Sequence, residues 1–289
     1  MSTLICKDIT KSYSKKPVLT GVTFTLEPHK VYGLFGRNGI GKTTLLGIIS
    51  GQNPSDGGGV TVDSESVWQN QRALDEICFS REINPITLFG QDSRKVKEVL
   101  KLAQCLFKYW DNDYAGRLIA EFNLEPKSRI SKLSKGMLSA LTIVIALASK
   151  APMTFIDEPV AGLDVFMRDK FYKLLAEEYA NTQRTFVIST HIIDEVSGIV
   201  EDVIILKDGG VLKNESLEGL LGHYRIVSGK DSDIDEFSKG YKVVNSESLL
   251  KNKTICVEVD SLEAFKTDVQ KYNFDVSQAS LQKLLMQLL

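Results

Sequence analysis

A short glycine-rich segment constrains the fold of this chain more than any other feature. Residues 36–43 have the sequence Gly-Arg-Asn-Gly-Ile-Gly-Lys-Thr, which fits the pattern G-x-x-x-x-G-K-[S/T] at every position. The segment follows an apolar run at 31–35, typical of a buried strand, and precedes a helical pattern at 43–49. Glycines let such a loop wrap closely around a polyphosphate, and the helix adds the positive end of its dipole. The sequence therefore predicts a site for a nucleoside triphosphate.

The residues of this loop are expected to hold the triphosphate and a metal ion through different groups. Lys42 is predicted to contact the β- and γ-phosphates, and the Thr43 hydroxyl to complete the Mg²⁺ shell. A glycine-rich turn without a ligand is the alternative, and the intact motif between a strand and a helix argues against it. The candidate nucleotide-binding residues here are Gly36, Asn38, Gly39, Gly41, Lys42, Thr43 and Thr44.

A second motif places two carboxylates at the end of an apolar strand. Residues 153–158 have the sequence Met-Thr-Phe-Ile-Asp-Glu. Asp157, at the carboxyl end of the strand, is predicted to hold Mg²⁺ directly or through water. Glu158 faces a different direction and can accept a proton from an attacking water. A solvated turn is the alternative, but the apolar strand and the upstream phosphate loop favour a functional pair.

Strands alternate with helical segments through the first part of the chain. Apolar runs at 153–156 and 185–189 predict buried strands, and a helical pattern at 166–179 separates them. This alternation favours a mostly parallel sheet covered by helices. A helical pattern of mixed charge over 96–122 predicts a helical insertion. The composition changes after Gly209-Gly210, and strand and helix patterns beyond residue 215 predict a small C-terminal α/β domain.

Composition excludes several classes of function. The formal net charge of the 289 residues is -2, so no basic field points to nucleic acid. The four cysteines lie far apart without a CxxC pair, which predicts reduced thiols in a cytosolic protein. The most apolar run, 141–148, has about half the length needed to cross a bilayer and predicts a buried helix. Charged residues interrupt the N-terminal stretch, so no signal peptide is expected, and any membrane role would require a partner.

Residues 133–137, Leu-Ser-Lys-Gly-Met, begin a long apolar helix about twenty residues before Asp157. They resemble the signature motif, usually LSGGQ, of the nucleotide-binding subunits of ABC transporters, and the resemblance covers roughly residues 2 to 215. It implies that Ser134 and Gly136 lie across a dimer interface and cap the γ-phosphate of ATP held by the other subunit. Lys135 and Met137 depart from the family's glycine and glutamine, and an added lysine can assist contact with phosphate.

Further segments follow the order of the family. Residues 161–164, Ala-Gly-Leu-Asp, resemble the loop through which the two subunits sense each other, which makes Asp164 a candidate contact of the nucleotide site. His191, after the strand at 185–189, resembles the switch histidine that contacts the γ-phosphate. Tyr13 matches the aromatic residue that stacks on adenine, with a core tyrosine as the alternative.

One family element is altered. The glutamine that usually touches Mg²⁺ and reports to the membrane domain corresponds to Glu82 in Ser80-Arg81-Glu82, and Gln91 is the alternative position. A carboxylate can still meet the metal, so the change bears on coupling to the membrane domain more than on nucleotide binding.

The resemblance implies an α/β fold of the P-loop NTPase type. Its parts are a mostly parallel sheet core, an antiparallel β subdomain and a helical insertion. We predict an ABC ATPase domain at 1–214, with its helical subdomain at about 83–150, and a small C-terminal α/β domain at 215–289.

The implied function is ATP hydrolysis coupled to transport. ATP and Mg²⁺ are the expected cofactors, Glu158 would polarise the water, and His191 would fix the γ-phosphate. The expected partners are an integral-membrane permease and a second ABC ATPase subunit, identical or different, at the cytoplasmic face of the cell membrane. The variant signature is most similar to that of bacterial exporters of peptides, antibiotics or lipids. The alternatives are a soluble ABC-type ATPase acting on DNA or ribosomes, a binding-only subunit of a heterodimer, and a P-loop kinase or GTPase.

Overall fold

The computed structural model describes residues 2–83, 94–249 and 251–289. The residues that lie close together in space group into two compact units, Met1–Asn214 and Glu215–Leu289. Within the described ranges, no helix is both long enough and apolar enough to span a bilayer.

Strands and helices alternate through most of the first unit. Its strands are β1 (Leu4–Tyr13), β2 (Lys16–Leu26), β3 (Val31–Phe35), β4 (Gly57–Val62), β5 (Glu65–Ser66), β6 (Ile77–Ser80), β7 (Met153–Asp157), β8 (Thr185–Ser189), β9 (Asp202–Lys207) and β10 (Gly210–Ser216). Its helices in the described residues are α1 (Lys42–Ile49), α2 (Gln71–Asp75), α3 (Val96–Leu106), α4 (Asn112–Glu121), α5 (Lys135–Ala148), α6 (Val165–Thr182) and α7 (Ile193–Val196).

The central sheet has the strand order β10-β9-β3-β8-β7-β6 in the described part of the chain. The pairs β3–β8, β3–β9, β6–β7 and β7–β8 are all parallel. Every residue of β3, β7 and β8 is buried, as expected for strands that are covered by other elements on both faces. The prediction of a mostly parallel core sheet is therefore confirmed, and the carboxyl ends of β3, β7 and β8 lie along one edge.

A second sheet is antiparallel and has the order β2-β1-β4-β5. Leu4 and Cys6 of β1 are buried while the residues between and after them are exposed, so one face of this sheet packs on the core. That face belongs to the same apolar cluster as Leu45 and Leu46 of α1 and Phe155 of β7. The antiparallel subdomain and the central sheet thus share one core, which holds α1 in place.

The helical segment differs from its sequence prediction in one respect. The pattern predicted over 96–122 forms two helices, because α3 ends at Leu106 and α4 begins only at Asn112. Asp111 causes the new start, since its side chain accepts a hydrogen bond from Tyr114 N–H at 2.9 Å and caps α4. The apolar run 141–148 lies in α5, which packs against α4, β6 and β7, so the prediction of a buried helix is confirmed.

The second unit is a four-stranded antiparallel sheet with helices. Its strands are β11 (Tyr224–Lys230), β12 (Lys242–Leu249), β13 (Asn252–Glu258) and β14 (Asp275–Gln278), in the order β12-β13-β11-β14. Its helices are α8 (Leu217–Gly222), α9 (Asp231–Phe237), α10 (Leu262–Val269) and α11 (Leu281–Leu288).

Aromatic residues dominate one part of the core of this unit. The ring of Phe237 lies 4.7 to 6.0 Å, between centroids, from the rings of four other aromatic residues: Tyr241, Phe265, Tyr272 and Phe274. The last helix, α11, buries Leu281, Leu284, Leu285 and Leu288 and leaves Met286 exposed. Its leucines form a docked face, as their spacing predicts.

Candidate nucleotide-binding site

The phosphate loop connects β3 to α1 through glycines with positive φ values. Gly36, Gly39 and Gly41 have φ values of 154°, 78° and 114°, which side chains disfavour. A Cβ at Gly36 would lie 2.8 Å from the carbonyl oxygen of Leu206. Backbone conformation therefore favours glycine at all three positions, and the close approach of Leu206 leaves no room for a side chain at Gly36.

The N-terminus of α1 has the character of an anion site. Its N-cap residue, Gly41, offers no side chain to accept a hydrogen bond from the first turn, and that turn has no acidic residue. The free N–H groups and the helix dipole therefore favour a negatively charged ligand. Of the other predicted residues, Asn38 and Gly39 are exposed and Thr44 is half-buried.

Lys42 folds back over the loop. Its side chain is buried, and its Nζ donates to the carbonyl oxygens of Gly36 at 2.7 Å and Arg37 at 3.2 Å. Burial lowers the pKa of Lys42, while the charges of Glu158 and Asp157 act in the opposite direction. An ammonium group has three donors and these bonds engage two, so the group can also donate to a phosphate oxygen.

Two oxygen groups meet where Mg²⁺ is predicted. The Thr43 hydroxyl donates to Asp157 Oδ2 at 2.5 Å, because the parallel sheet brings the ends of β3 and β7 to one edge. The described ranges contain no cluster of three His, Cys, Asp or Glu side chains suited to a metal. One hydroxyl and one carboxylate fit Mg²⁺ nonetheless, because this ion is commonly held by few protein oxygens together with substrate phosphates.

Glu158 and His191 are in direct contact. His191 Nδ1 lies 2.7 Å from Glu158 Oε2. Glu158 has a left-handed backbone, with φ of 51°, and its N–H donates to Ser189 O at 2.7 Å. Such conformations are uncommon outside glycine and concentrate at functional sites. This backbone turn separates the Glu158 carboxylate from Asp157 and brings it to the histidine that follows β8.

The signature segment lies against the loop at 161–164 of the same subunit. Ser134 caps α5 by accepting from Met137 N–H at 3.2 Å, and Asp164 caps α6 by accepting from Met167 N–H at 2.9 Å. A Cβ at Gly136 would lie 2.7 Å from the carbonyl oxygen of Gly162. The structure thus brings the two predicted motifs together, and it gives Ser134 and Asp164 a capping role that sequence analysis had not assigned.

Glu82, a candidate to meet Mg²⁺, forms an ion pair with the signature segment in this structure. Its Oε1 lies 3.2 Å from Lys135 Nζ of the signature segment, whereas Asp157 contacts Thr43. Both Glu82 and Lys135 are exposed. The alternative residue, Gln91, lies outside the described residues.

Tyr13 lies at the end of β1 and is 48% exposed, so the alternative of a core tyrosine is wrong. The ammonium of Lys11 lies 5.7 Å from the centre of its ring, in the geometry of a cation–π contact. An exposed ring of this kind has a face available for stacking.

Sequence analysis missed one ion pair beside the site. Arg168 Nη1 on α6 lies 2.8 Å from Glu195 Oε1 on α7. These helices directly follow the segments that carry Asp164 and His191. The only sequence signal was that each charged residue stands one helical turn beyond a predicted site residue.

The glycine loop, the buried lysine and the acidic strand end with its neighbouring glutamate define a P-loop nucleoside triphosphatase. The family model described as ABC transporter matches residues 19–161. The aliphatic sulfonates import ATP-binding protein SsuB 3 of Rhodococcus jostii (strain RHA1) is 31% identical over 70% of this chain and 70% of that protein. The chain therefore belongs to the ABC transporter family, as an ATP-binding subunit with the ATPase fold.

Other comparisons agree with this assignment. The ABC transporter ATP-binding protein YtrB of Bacillus subtilis (strain 168) is 24% identical over 79% of this chain and 77% of that protein. The Nod factor export ATP-binding protein I of Rhizobium sp. (strain N33) is 29% identical over 74% of this chain and 70% of that protein. A solved ATP binding subunit of an ABC transporter superposes with a TM-score of 0.65 at 25% identity, covering 75% of this chain and 91% of that one. Because import and export proteins both match, the direction of transport does not follow from the family.

Proposed function

We propose that this subunit hydrolyses ATP between two ABC ATPase subunits and thereby drives transport through a separate membrane permease. The observation that carries the proposal is the contact between Glu158 and His191, 2.7 Å, beside the phosphate loop. A nucleotide-binding protein without hydrolysis would need Lys42 and the loop but not this pair.

The residues on the phosphate side bind and neutralise the substrate. The buried ammonium of Lys42 and the N–H groups at the start of α1 face the negative charge of the triphosphate. Thr43 and Asp157 would supply the oxygens that hold Mg²⁺. When bound, this ion neutralises charge that develops on the phosphate oxygens.

Glu158 is the proposed general base. Its carboxylate accepts a proton as the water oxygen bonds to the γ-phosphorus and the bond from that phosphorus to ADP breaks. His191 donates from Nδ1 to the carboxylate and so holds it in one orientation. Its Nε2 donates to a phosphate oxygen in the imidazolium form, in which both ring nitrogens carry a proton. The Glu158 N–H, fixed on Ser189 O, keeps the backbone from moving with the side chain.

A second subunit completes the site in this proposal. Ser134 and Lys135 are exposed at the start of α5, with helix N–H groups behind them, which suits an anion presented from outside the subunit. The family resemblance supports a neighbour's ATP as that anion. ATP then favours the closed pair of subunits, because only the closed pair binds ATP from both sides. Hydrolysis reopens the pair, and this movement drives a permease with which the subunits associate at the cytoplasmic face of the membrane.

The test of hydrolysis is the substitution Glu158→Gln. Turnover of ATP should fall at least about 100-fold, because a general base contributes at least that factor. The purified variant should also form a dimer with ATP that light scattering detects. Glu177→Gln, at an exposed position of α6, is the control and should leave both properties unchanged. Unaltered turnover in Glu158→Gln would overturn the proposal.

The transport partner needs a separate experiment. The tagged chain, isolated from detergent-solubilised membranes of its own cells, should retain an integral-membrane protein. If it is recovered without one under conditions where ATP binding persists, the transport part of the proposal is wrong.

A further inference from the structure

Two departures from the family pattern contact each other. By the family resemblance, Lys135 replaces a glycine of the signature motif, and Glu82 is one of two candidates, with Gln91, for the position of the family's glutamine. Their charged groups lie 3.2 Å apart, on side chains that are 59% and 54% exposed. The two changes therefore form one ion pair, which links the signature segment to the segment after β6.

Lys135 stands in an electrostatically unusual place. It is the first residue of α5, and the first turn of that helix has no acidic residue. A cation there adds to the positive end of the helix dipole, where negative groups are usually favoured. The start of α5 therefore combines a side-chain charge and helix N–H groups of the same sign, and it attracts an anion. Glu82 supplies that anion within the subunit.

Contacts with the loop at 161–164 hold the aliphatic part of the lysine. A Cβ at Gly162 would lie 2.8 to 3.2 Å from Cγ, Cδ and Cβ of Lys135, so this part of the side chain lies over the glycine. The ammonium extends beyond this contact to Glu82. With its aliphatic part held, the end of the side chain can exchange one anion for another.

We propose that Lys135 binds the γ-phosphate of ATP held by a second copy of this chain, and that Glu82 is its counter-ion until the phosphate displaces the carboxylate. This inference rests on the proposed head-to-tail pair. An exposed ion pair is weak and exchangeable, whereas a triphosphate carries more negative charge and makes charge-assisted hydrogen bonds. ATP that binds between the two subunits therefore releases Glu82 from Lys135. Because coupling between two binding events is reciprocal, any contact that engages Glu82 also makes Lys135 more available to ATP.

The experiment measures the ATP concentration at which half of the chain is dimeric. Each variant is made in the Glu158→Gln background, so that hydrolysis does not disperse the dimer. The variants are Glu82→Gln, Lys135→Met, which keeps the aliphatic part over Gly162, and the two together. Lys132→Met, at another exposed lysine, controls for the loss of a positive charge near the signature segment.

The expected result is a dependence of one substitution on the other. Glu82→Gln should lower the half-maximal ATP concentration about two- to fivefold, the range of an exposed ion pair. Lys135→Met should raise it about tenfold, as for a lost hydrogen bond to a charged group. In the Lys135→Met background, Glu82→Gln should have no effect, and Lys132→Met should leave the concentration unchanged.

Other outcomes separate this inference from the function on which it rests. If the parent Glu158→Gln protein fails to dimerise with ATP, the pair of identical subunits falls and this inference with it, while loss of ATP turnover in Glu158→Gln tests the proposed hydrolysis separately. If the parent dimerises but Glu82→Gln has no effect, or has the same effect with and without Lys135, the inference alone is overturned.

Discussion

Gly136 lies in the proposed anion-binding segment, and its lack of a side chain also allows close packing. The backbone of the loop at 161–164 passes so close that a methyl group at Gly136 would meet the Gly162 carbonyl oxygen at 2.7 Å. A backbone atom cannot move aside as a flexible side chain can, so the contact between the two motifs depends on the absence of a Cβ.

We predict that Gly136→Ala destabilises the protein by about 1–3 kcal/mol, the usual cost of overpacking. Gly116→Ala is the matched control, because this glycine also lies in a helix, α4, and a Cβ there would meet nothing within 4 Å. The control should instead stabilise by roughly 0.5–1 kcal/mol, since alanine is the better helix former. Urea unfolding midpoints of both variants test this, and equal shifts would contradict the packing argument.

At the scale of elements, the Arg168–Glu195 ion pair connects two helices that follow predicted site segments. Arg168 N–H also donates to Asp164 O at 3.0 Å, in the first turn of α6. The distance of 2.8 Å between Arg168 Nη1 and Glu195 Oε1 ties this turn to α7. Movement of α7 would shift the preceding His191 against Glu158, so the ion pair positions the base without touching the substrate.

We predict that Arg168→Met lowers kcat for ATP about tenfold and leaves KM nearly unchanged, because small displacements of reacting groups are costly while the phosphate loop is untouched. Glu195→Gln should have a similar effect, and the double variant should be no worse than either alone. Lys173→Met is the control, since it removes an exposed ion pair with Asp169 on the same helix. A change confined to KM would argue against a positioning role.

A second network joins α6 to the end of α5 and to β8. The buried carboxylate of Glu178 accepts from Lys150 Nζ at 2.8 Å with both oxygens and lies 3.1 Å from Arg184 Nε. Burial lowers the pKa of Arg184, and the charge of Glu178 opposes this shift. One buried carboxylate thus balances the buried cation of Arg184 and the partly exposed cation of Lys150.

We predict that Glu178→Gln costs about 3–5 kcal/mol of unfolding free energy, since it leaves buried charge without its partner. Glu177→Gln, next in sequence but exposed and paired with exposed Arg117 at 3.7 Å, should change stability by no more than about 0.5 kcal/mol. Thermal and urea unfolding of the two variants measure the difference. A loss in Glu178→Gln as small as in its neighbour would mean that water reaches the network.

At the scale of the whole molecule, the division of the chain after residue 214 implies that the second unit can fold by itself. The second unit has its own apolar cluster, which includes Val227, Ile255, Val257 and Phe237. A chain segment of this size has a marginal core, and a few kcal/mol of stability is the usual limit.

We predict that a fragment of residues 215–289 unfolds cooperatively by circular dichroism, with a stability of about 3–5 kcal/mol. Phe237→Ala should abolish the unfolding transition, because loss of a buried phenyl ring costs about as much free energy as the whole stability of the fragment. The complementary fragment 1–214 should bind ATP at the same concentration as the full chain. Loss of binding on truncation would place part of the nucleotide site in the second unit.

The sequence alone determined the phosphate site and the kind of core that surrounds it. The loop at 36–43 is one contiguous segment whose own glycines supply its positive φ values, so the motif can be recognised from local residue types. The strands at 31–35, 153–157 and 185–189 are mostly apolar, which in a parallel sheet favours burial on both faces.

Tertiary structure alone decided which distant charges meet. The pairs Glu82–Lys135 and Arg168–Glu195 join segments far apart in the chain, and no local pattern fixes the distance between their side chains. The break between α3 and α4 depends on whether Asp111 caps a helix or faces solvent, which its neighbours in space settle. Backbone conformation is set by residues in sequence, whereas a salt bridge is set by where packing leaves two flexible side chains; for that reason the site was predictable and its ion pairs were not.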